Sequence, residues 1–206
     1  MQAASLTTAV VEARPHVQPV LHGPQVTLRA LRESDASSLL ALLTAPEVAR
    51  FMAPPPTTLE GFVRFIESTS QGWWDGTHAC FAVTLRGYDT AIGLFQVRWI
   101  EPHVKTVEWG FALGSPFWGT GVFQGAAELV LAFVFEQLGA HRVEARAAVR
   151  NGRGGRALQK LGAVQEGVLR RAFLIDGRYL DQVLYTIVED DWRANRAARR
   201  PVVPVH

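Results

Sequence analysis

The sequence predicts a mixed α/β fold with a mostly antiparallel sheet and one parallel crossover carried by a central helix. Three observations predict it. Residues 109–138, WGFALGSPFWGTGVFQGAAELVLAFVFEQL, hold a β-like run ending at Leu113, a Gly-Ser-Pro turn, and a strongly apolar helix opened by Gly119-Thr120-Gly121. Three candidate strands stand in direct succession up to that turn, joined by connections of hairpin length. One further strand, one short helix and a closing strand pair come after it. Strands joined by short turns run antiparallel, whereas strands joined through a helix run parallel.

In chain order, residues 1–22 show no sustained periodicity and read as a loose extension. Residues 26–31 (VTLRAL) alternate as a strand. Glu33-Ser34-Asp35 supplies an acidic first turn to a helix with Leu39, Leu40, Leu42 and Leu43 on its apolar side, and Pro54-Pro55-Pro56 breaks it. Thr57 or Thr58 caps the next helix, which turns Phe62, Phe65 and Ile66 inward. Residues 72–76 read as a turn holding Trp73 and Trp74. Strands follow at 79–85, 91–100 and 105–113, separated by Gly87-Tyr88-Asp89 and Glu101-Pro102-His103.

The central helix is apolar nearly all round. Val122, Ala126, Leu129, Val130 and Phe133 form one stripe, and Phe123, Ala127, Val134 and Leu138 a second. Gln124, Glu128 and Glu136 leave only a narrow polar edge, so the helix is expected to be buried, with Gly139 as its stop. Residues 141–149 read as a strand. Asn151 caps a short helix reaching Leu161, and Gly162 ends it. Residues 164–169 and 181–188 close the fold as a hairpin around Asp176-Gly177, and a basic tail begins at Arg193. The expectation is one domain over 23–192, between an extension at 1–22 and a tail at 193–206.

Composition narrows the classes of function. A chain of 206 residues with 48% hydrophobic content can bury a real core. The formal net charge is only +2, and the arginines gather in separate clusters. Bulk nucleic-acid binding is therefore not indicated, though local anion sites are. Cys80 is the single cysteine, which excludes an internal disulfide and a cysteine metal site. No metal is expected. No apolar run reaches the ~18 residues of a membrane span, and no signal pattern opens the chain. The expected setting is soluble and cytoplasmic.

Strand, glycine turn and buried helix together present backbone N–H groups and a positive helix end to an anion, so a phosphate-bearing ligand is expected. A Walker loop is excluded, because Gly125 is followed by Ala126-Ala127 and not by Lys-Ser/Thr. A dinucleotide fingerprint, Gly119-x-Gly121-x-x-x-Gly125 with Glu144 as the ribose acid, conflicts with three consecutive strands preceding the glycines.

A third reading covers most of the chain. Trp118-Gly119-Thr120-Gly121 at a helix start, His141-Arg142-Val143-Glu144-Ala145-Arg146, Asn151, and Leu158-Gln159-Lys160-Leu161-Gly162-Ala163 together resemble the GNAT superfamily of N-acetyltransferases. Glu166-Gly167-Val168-Leu169-Arg170, Asp176-Gly177-Arg178-Tyr179-Leu180-Asp181 and Tyr185 are similar to its RimJ/RimL branch, which acetylates protein N-terminal amines among other targets. The resemblance implies acetyl-CoA as cosubstrate, an amine acceptor, and a homodimer as an option. It implies that the CoA pyrophosphate meets the backbone of Trp118, Gly119, Thr120, Gly121, Val122, Phe123 and Gln124. The pantetheine arm would pair like an added strand with Phe111, Ala112 and Leu113. Asn151 would contact the cofactor; Arg153, Arg156 and Lys160 would meet its phosphates or stand solvated.

The chain departs from the family pattern at two positions. Phe123 replaces a small residue, and Gly154 stands where relatives carry a serine able to protonate the leaving thiolate. Acyl transfer needs a neutral amine, which an α-amine of pKa near 8 supplies more readily than a lysine. Glu108 is the candidate proton acceptor through water, with Glu101 and His103 behind it. Tyr185 is the candidate proton donor, or else a core tyrosine. The backbone N–H near Leu113 would stabilise the oxyanion. Trp73, Trp74, Phe51, Met52, Trp99 and Tyr179 are candidates to line the acceptor side. The favoured acceptor is a peptide N-terminus. A small-molecule amine, or an acyl-CoA-binding module of weak activity, stays open.

Overall fold

A computed structural model describes residues 17–199, apart from the side chain of Arg199. One eight-stranded sheet runs through it. In chain order the elements are β1 (Leu21–His22), β2 (Val26–Ala30), α1 (Ala36–Leu43), α2 (Pro46–Ala49), α3 (Leu59–Trp74), β3 (His78–Leu85), β4 (Ala91–Glu101) and β5 (Thr106–Leu113). Then come α4 (Val122–Ala132), β6 (Arg142–Ala148), α5 (Gly152–Lys160), β7 (Val164–Ile175), β8 (Arg178–Val188) and α6 (Glu189–Arg199). The strand order is β1-β2-β3-β4-β5-β6-β8-β7. Every pairing is antiparallel except β5 with β6, the crossover that α4 carries.

Two apolar layers cover the sheet. Val122, Ala126, Ala127 and Val130 of α4 are buried against Phe81, Phe95, Val97, Val107 and Trp109. Phe62 and Ile66 of α3 and Leu39 and Leu43 of α1 cover Cys80, Ala82, Leu94 and Ala112 on the opposite face. The alternation of side chains along β3, β4 and β5 serves both layers at once, so these strands read as nearly continuous apolar runs. Thr58 is the cap of α3, its hydroxyl accepting from Gly61 N–H at 3.1 Å. Burial pushes the Cys80 thiol up to about 12, so it packs as an inert small side chain.

Several boundaries differ from expectation. Of the supposed loose extension, residues 1–16 lie outside the described residues, but Leu21–His22 pairs with β2 and Gln18 Nε2 donates to Cys80 O at 2.9 Å. A two-residue strand is too short to show in periodicity. The first helix ends at Leu43, well before the prolines, and α2 fills the interval. Trp73 and Trp74 belong to the last turn of α3, because Trp73 is buried against Phe133 with ring centroids 6.4 Å apart. The central helix stays α-helical to Ala132 and widens to a π-turn over Phe133–Gln137. The tail from Arg193 is helical through Arg199, anchored by Trp192 packed on Phe135 with ring centroids 5.1 Å apart. Residues 200–206 lie outside the described residues.

Candidate active site

The site begins where two neighbouring strands separate. Thr106, Val107 and Glu108 of β5 pair with Arg142, Val143 and Glu144 of β6, and no further pairing joins the two strands. β5 nevertheless continues five residues beyond Glu108, held by β4 as far as Gly93↔Leu113. Gly114 N–H donates to Ile92 O at 2.9 Å. Counting back by two from that bond, Ala112 and Gly110 also turn their backbone groups toward β4, and Leu113 and Phe111 turn theirs toward the opening. The opening is therefore bordered by strand hydrogen-bonding groups with no strand opposite. Trp118 Nε1 donates to Leu113 O at 2.8 Å and ties the following turn to the same edge.

Two helix N-termini converge on this opening. Gly119 and Gly121 both have left-handed φ, at 77° and 87°, a conformation that turns the chain sharply into α4 at little cost for glycine alone. Gly121 is the N-cap of α4 and has no side chain to cap it. The first-turn N–H groups of Val122, Phe123 and Gln124 are thus open to an anion. Thr120 spends its hydroxyl on Phe117 O at 2.8 Å, and Gln124 Nε2 donates to Glu128 Oε1 at 3.0 Å. Phe123, the bulky residue in the glycine motif, is turned away from the loop. Its ring packs inward on Phe111 at 4.6 Å and Phe95 at 5.7 Å, making the floor of the opening on the α4 side.

The second N-terminus is capped. Asn151 Oδ1 accepts from Gly154 N–H at 3.0 Å, so the oxygen of this side chain serves as the α5 cap. The glycines at the start of α5 have a packing reason. A Cβ at Gly154 would lie 2.7 Å from Asn151 Nδ2, and one at Gly155 would lie 2.6 Å from the Tyr185 hydroxyl. Arg153, in the first turn of α5, lays its guanidinium 3.8 Å from the Trp118 ring centroid and so sits over the glycine turn. Arg156 is exposed one turn further on. Lys160 lies in the last turn of α5, away from its N-terminus.

The acid–base candidates fall on opposite faces of the sheet. Tyr185 pairs across from Ala145, is 7% exposed, and belongs to the layer under α4 and α5. Glu108 points to the other face, where Arg98 of β4 forms a close ion pair with one of its oxygens and Arg146 Nε stands 3.6 Å from the other. Beside it, Arg142 bridges Glu144 at 2.9 Å and Glu166 at 2.5 Å, with Thr186 Oγ1 donating to Glu166 at 2.8 Å. Hydrogen bonds from Arg142 and then Thr186 hold the Glu166 carboxyl down at about 2, and hydrogen bonds to Glu166 and then Glu144 raise Arg142. His103 and Glu101 form an exposed pair at 3.4 Å in a turn beyond the far end of β5. Trp73 is core, whereas Trp74 and Tyr179 are exposed.

Arg98 was not singled out from the sequence, and Arg146 entered only as part of a motif. Strand alternation contained the signal: charged residues in the middle of strands that are otherwise apolar. The hairpins and the crossover were legible, but which residues of β4, β5 and β6 stand opposite one another was not, because the pairing of β6 with both β5 and β8 spans long separations.

A family model for an acetyltransferase (GNAT) domain matches residues 25–164. The chain belongs to the GNAT acetyltransferase family. It is therefore an acetyl-transferring enzyme of GNAT type, in a family that uses acetyl-CoA. Its relatives include YdaF of Bacillus subtilis strain 168, assigned as a ribosomal N-acetyltransferase. YdaF is 23% identical over 83% of this chain and 95% of its own. A structure from T. thermophilus, assigned as an acetyltransferase, is 32% identical with TM-score 0.75 over 88% of this chain and 95% of that one. Mycobacterium smegmatis RimJ in complex with CoA-disulfide shares the fold with TM-score 0.78 at 20% identity, over 90% and 98% of the two chains. The family match and the similarity to YdaF support the RimJ/RimL-like branch. No helix among the described residues is long and apolar enough to cross a membrane.

Proposed function

We propose that this enzyme transfers acetyl from acetyl-CoA to a primary amine, with a protein or peptide N-terminal amine as the acceptor. The observation that carries this is the opening between β5 and β6. Backbone groups of Phe111 and Leu113 face it, and an uncapped helix N-terminus and Arg153 stand at its end. A pantetheine arm has amides spaced to bond such an edge, and a pyrophosphate suits the N–H groups of Val122 to Gln124. The arm runs from Leu113 toward the point where the strands part, so the acetyl carbonyl lies near the backbone N–H at the Phe111 end of that edge, which stabilises the developing oxyanion. Glu108 stands on the opposite face at the point where β5 and β6 part, and it receives the amine proton through water. An α-amine needs little help to shed that proton, so placement of the two reactants contributes most of the acceleration. Gly154 supplies no hydroxyl, and the Tyr185 hydroxyl, on the cofactor face, is the donor left for the departing thiolate. YdaF's assignment to ribosomal proteins supports a protein acceptor.

The test is thermal stability with acetyl-CoA, CoA and NADPH titrated separately, followed by acetylation of unblocked peptides. Acetyl-CoA or CoA at a hundred times its Kd stabilises by about 2.7 kcal/mol, and NADPH leaves the melting temperature unchanged. Absence of a shift with both CoA species in a folded sample overturns the site. A shift without acetylation of any amine overturns the enzymatic reading.

A further inference from the structure

Three guanidinium groups, of Arg98, Arg142 and Arg146, and three carboxylates, of Glu108, Glu144 and Glu166, form one row on the sheet face where β5 and β6 part. They differ in exposure and in how fully their donors are used. Arg142 is shared by two carboxylates, Glu144 and Glu166, and Glu144 stands directly across from Glu108 at the point where β5 and β6 part. Within that row, the two guanidinium groups of Arg98 and Arg146 share the carboxylate of Glu108. Glu108 itself is sequestered, with its side chain 15% exposed, while those of Arg98 and Arg146 are 56% and 39% exposed. A guanidinium has five N–H donors in a planar fork that fits a carboxylate, and neither arginine uses more than a fraction of them on Glu108.

Position adds to this. Glu144 is the last β6 residue to pair with β5, and Arg146 stands two residues further along, on the strand edge that has already left its neighbour. Two residues of strand span roughly 7 Å, about the reach from an α-amine to the side chain of the next residue. Arg146 and Glu108 also share the face opposite Phe123 and Tyr185, so both stand across the sheet from the helix ends proposed to hold the phosphates.

We propose that Arg98 and Arg146 bind a carboxylate carried by the acceptor, so that this enzyme selects amines bearing an acidic group on the same residue or the next. This rests on the reading of the β5–β6 opening as the acyl-transfer site. The acceptor amine lies beside Glu108, and its acidic group takes the spare guanidinium donors. A lysine at the same place in the acceptor meets two cations and is repelled. The carboxylate belongs either to the second residue of a peptide or to a free amino acid.

The experiment is calorimetry on the CoA-saturated full chain, with turnover measured in parallel. The probes are C-terminally amidated peptides differing only in Glu, Gln or Lys at position two, together with free serine and serine amide. The Glu peptide is expected to bind at least fivefold more tightly than the Gln peptide, with the Lys peptide weakest. Arg146→Gln brings the Glu/Gln ratio close to one, and Arg146→Lys keeps part of it; Arg98→Gln is the second variant should the first fail to fold. Preference for serine over its amide, without a Glu/Gln preference, assigns the carboxylate to a free amino acid. Equal affinities in both pairs, binding of none of the probes, or a ratio that survives both Gln substitutions overturns the proposal. Selective binding without turnover leaves the carboxylate site standing and removes the acetyl-transfer reading instead.

Discussion

On the β2–β3 side of the sheet, Arg29 is surrounded. Two of its nitrogens meet both oxygens of Asp35 at 2.8 Å each, and Asp89 accepts from its Nε at 2.7 Å. Arg29 and Asp35 are 5% and 3% exposed. On the β5–β6 side, Arg98 and Arg146 share one carboxylate and keep much of their surface in solvent. The two regions use the same residue types on the same sheet. They differ because pairing is continuous from β1 to β5, so a charge there must be fully matched to be buried, whereas β5 and β6 part after three pairs. Burial makes an arginine structural. Incomplete pairing at a strand opening leaves one with unused bonding capacity, and that is where recognition is possible.

The largest expected effect breaks the closed side. Arg29→Ala strands the Asp35 carboxylate in the interior and should cost about 3–5 kcal/mol in denaturant unfolding. The acetyl-CoA affinity of the folded fraction should stay unchanged, since the opening lies several strands away. A loss of under ~1 kcal/mol would mean that the two sides treat charge alike after all.

A smaller effect is expected where α5 meets β8. Gly155→Ala puts a Cβ 2.6 Å from the Tyr185 hydroxyl and should destabilise by about 1–3 kcal/mol. Adding Tyr185→Phe removes the clashing oxygen, so the double variant should recover part of that loss. Simple additivity in the double-mutant cycle would show that the glycine is needed for some other reason.

The smallest effect sharpens the comparison on the open side. Hydrogen bonds from Arg142 and Thr186 hold the Glu166 carboxyl at about 2 in the fold, against 4.5 for an unperturbed one. Its contribution is complete above the unfolded value and disappears as pH falls from about 4.5 toward 2. Because the pair is largely solvated, the contribution should be about 1 kcal/mol or less. Unfolding curves of the parent and Glu166→Gln between about pH 6 and pH 3, at roughly equal ionic strength, should converge as the pH falls. Curves that run parallel would place Glu166 outside the stability of the open side.

Much of this enzyme was legible in its sequence. The period-two runs and the 3.6-residue stripe of the central helix are local, and they revealed nearly every element, because apolar residues sort by face whatever the neighbouring strand is. Glycines 119 and 121 marked the left-handed turn, Asn151 and Thr58 the caps, and ordered motifs from 118 to 185 the family. Two short pieces escaped for a physical reason: Leu21–His22 and the helical end at Trp73–Trp74 owe their conformation to what they touch, not to a pattern of their own.

Tertiary structure alone decided the chemistry of the side chains. The sequence could offer Glu108, Tyr185 and Phe123 as candidates, and Asn151 as the cap whose Oδ1 accepts from Gly154 N–H, but not what surrounds the first three. Nor could it show that Phe123 turns into the core or that Glu108 and Tyr185 face opposite sides of the sheet. It could not reveal that Arg98 and Arg146 flank one carboxylate, because 48 positions separate them along the chain. Local pattern determines what an element is and which side of it is apolar. Which strand lies next to it, and hence which charge meets which, is settled only when long-range pairing brings distant strands to about 4.8 Å of each other.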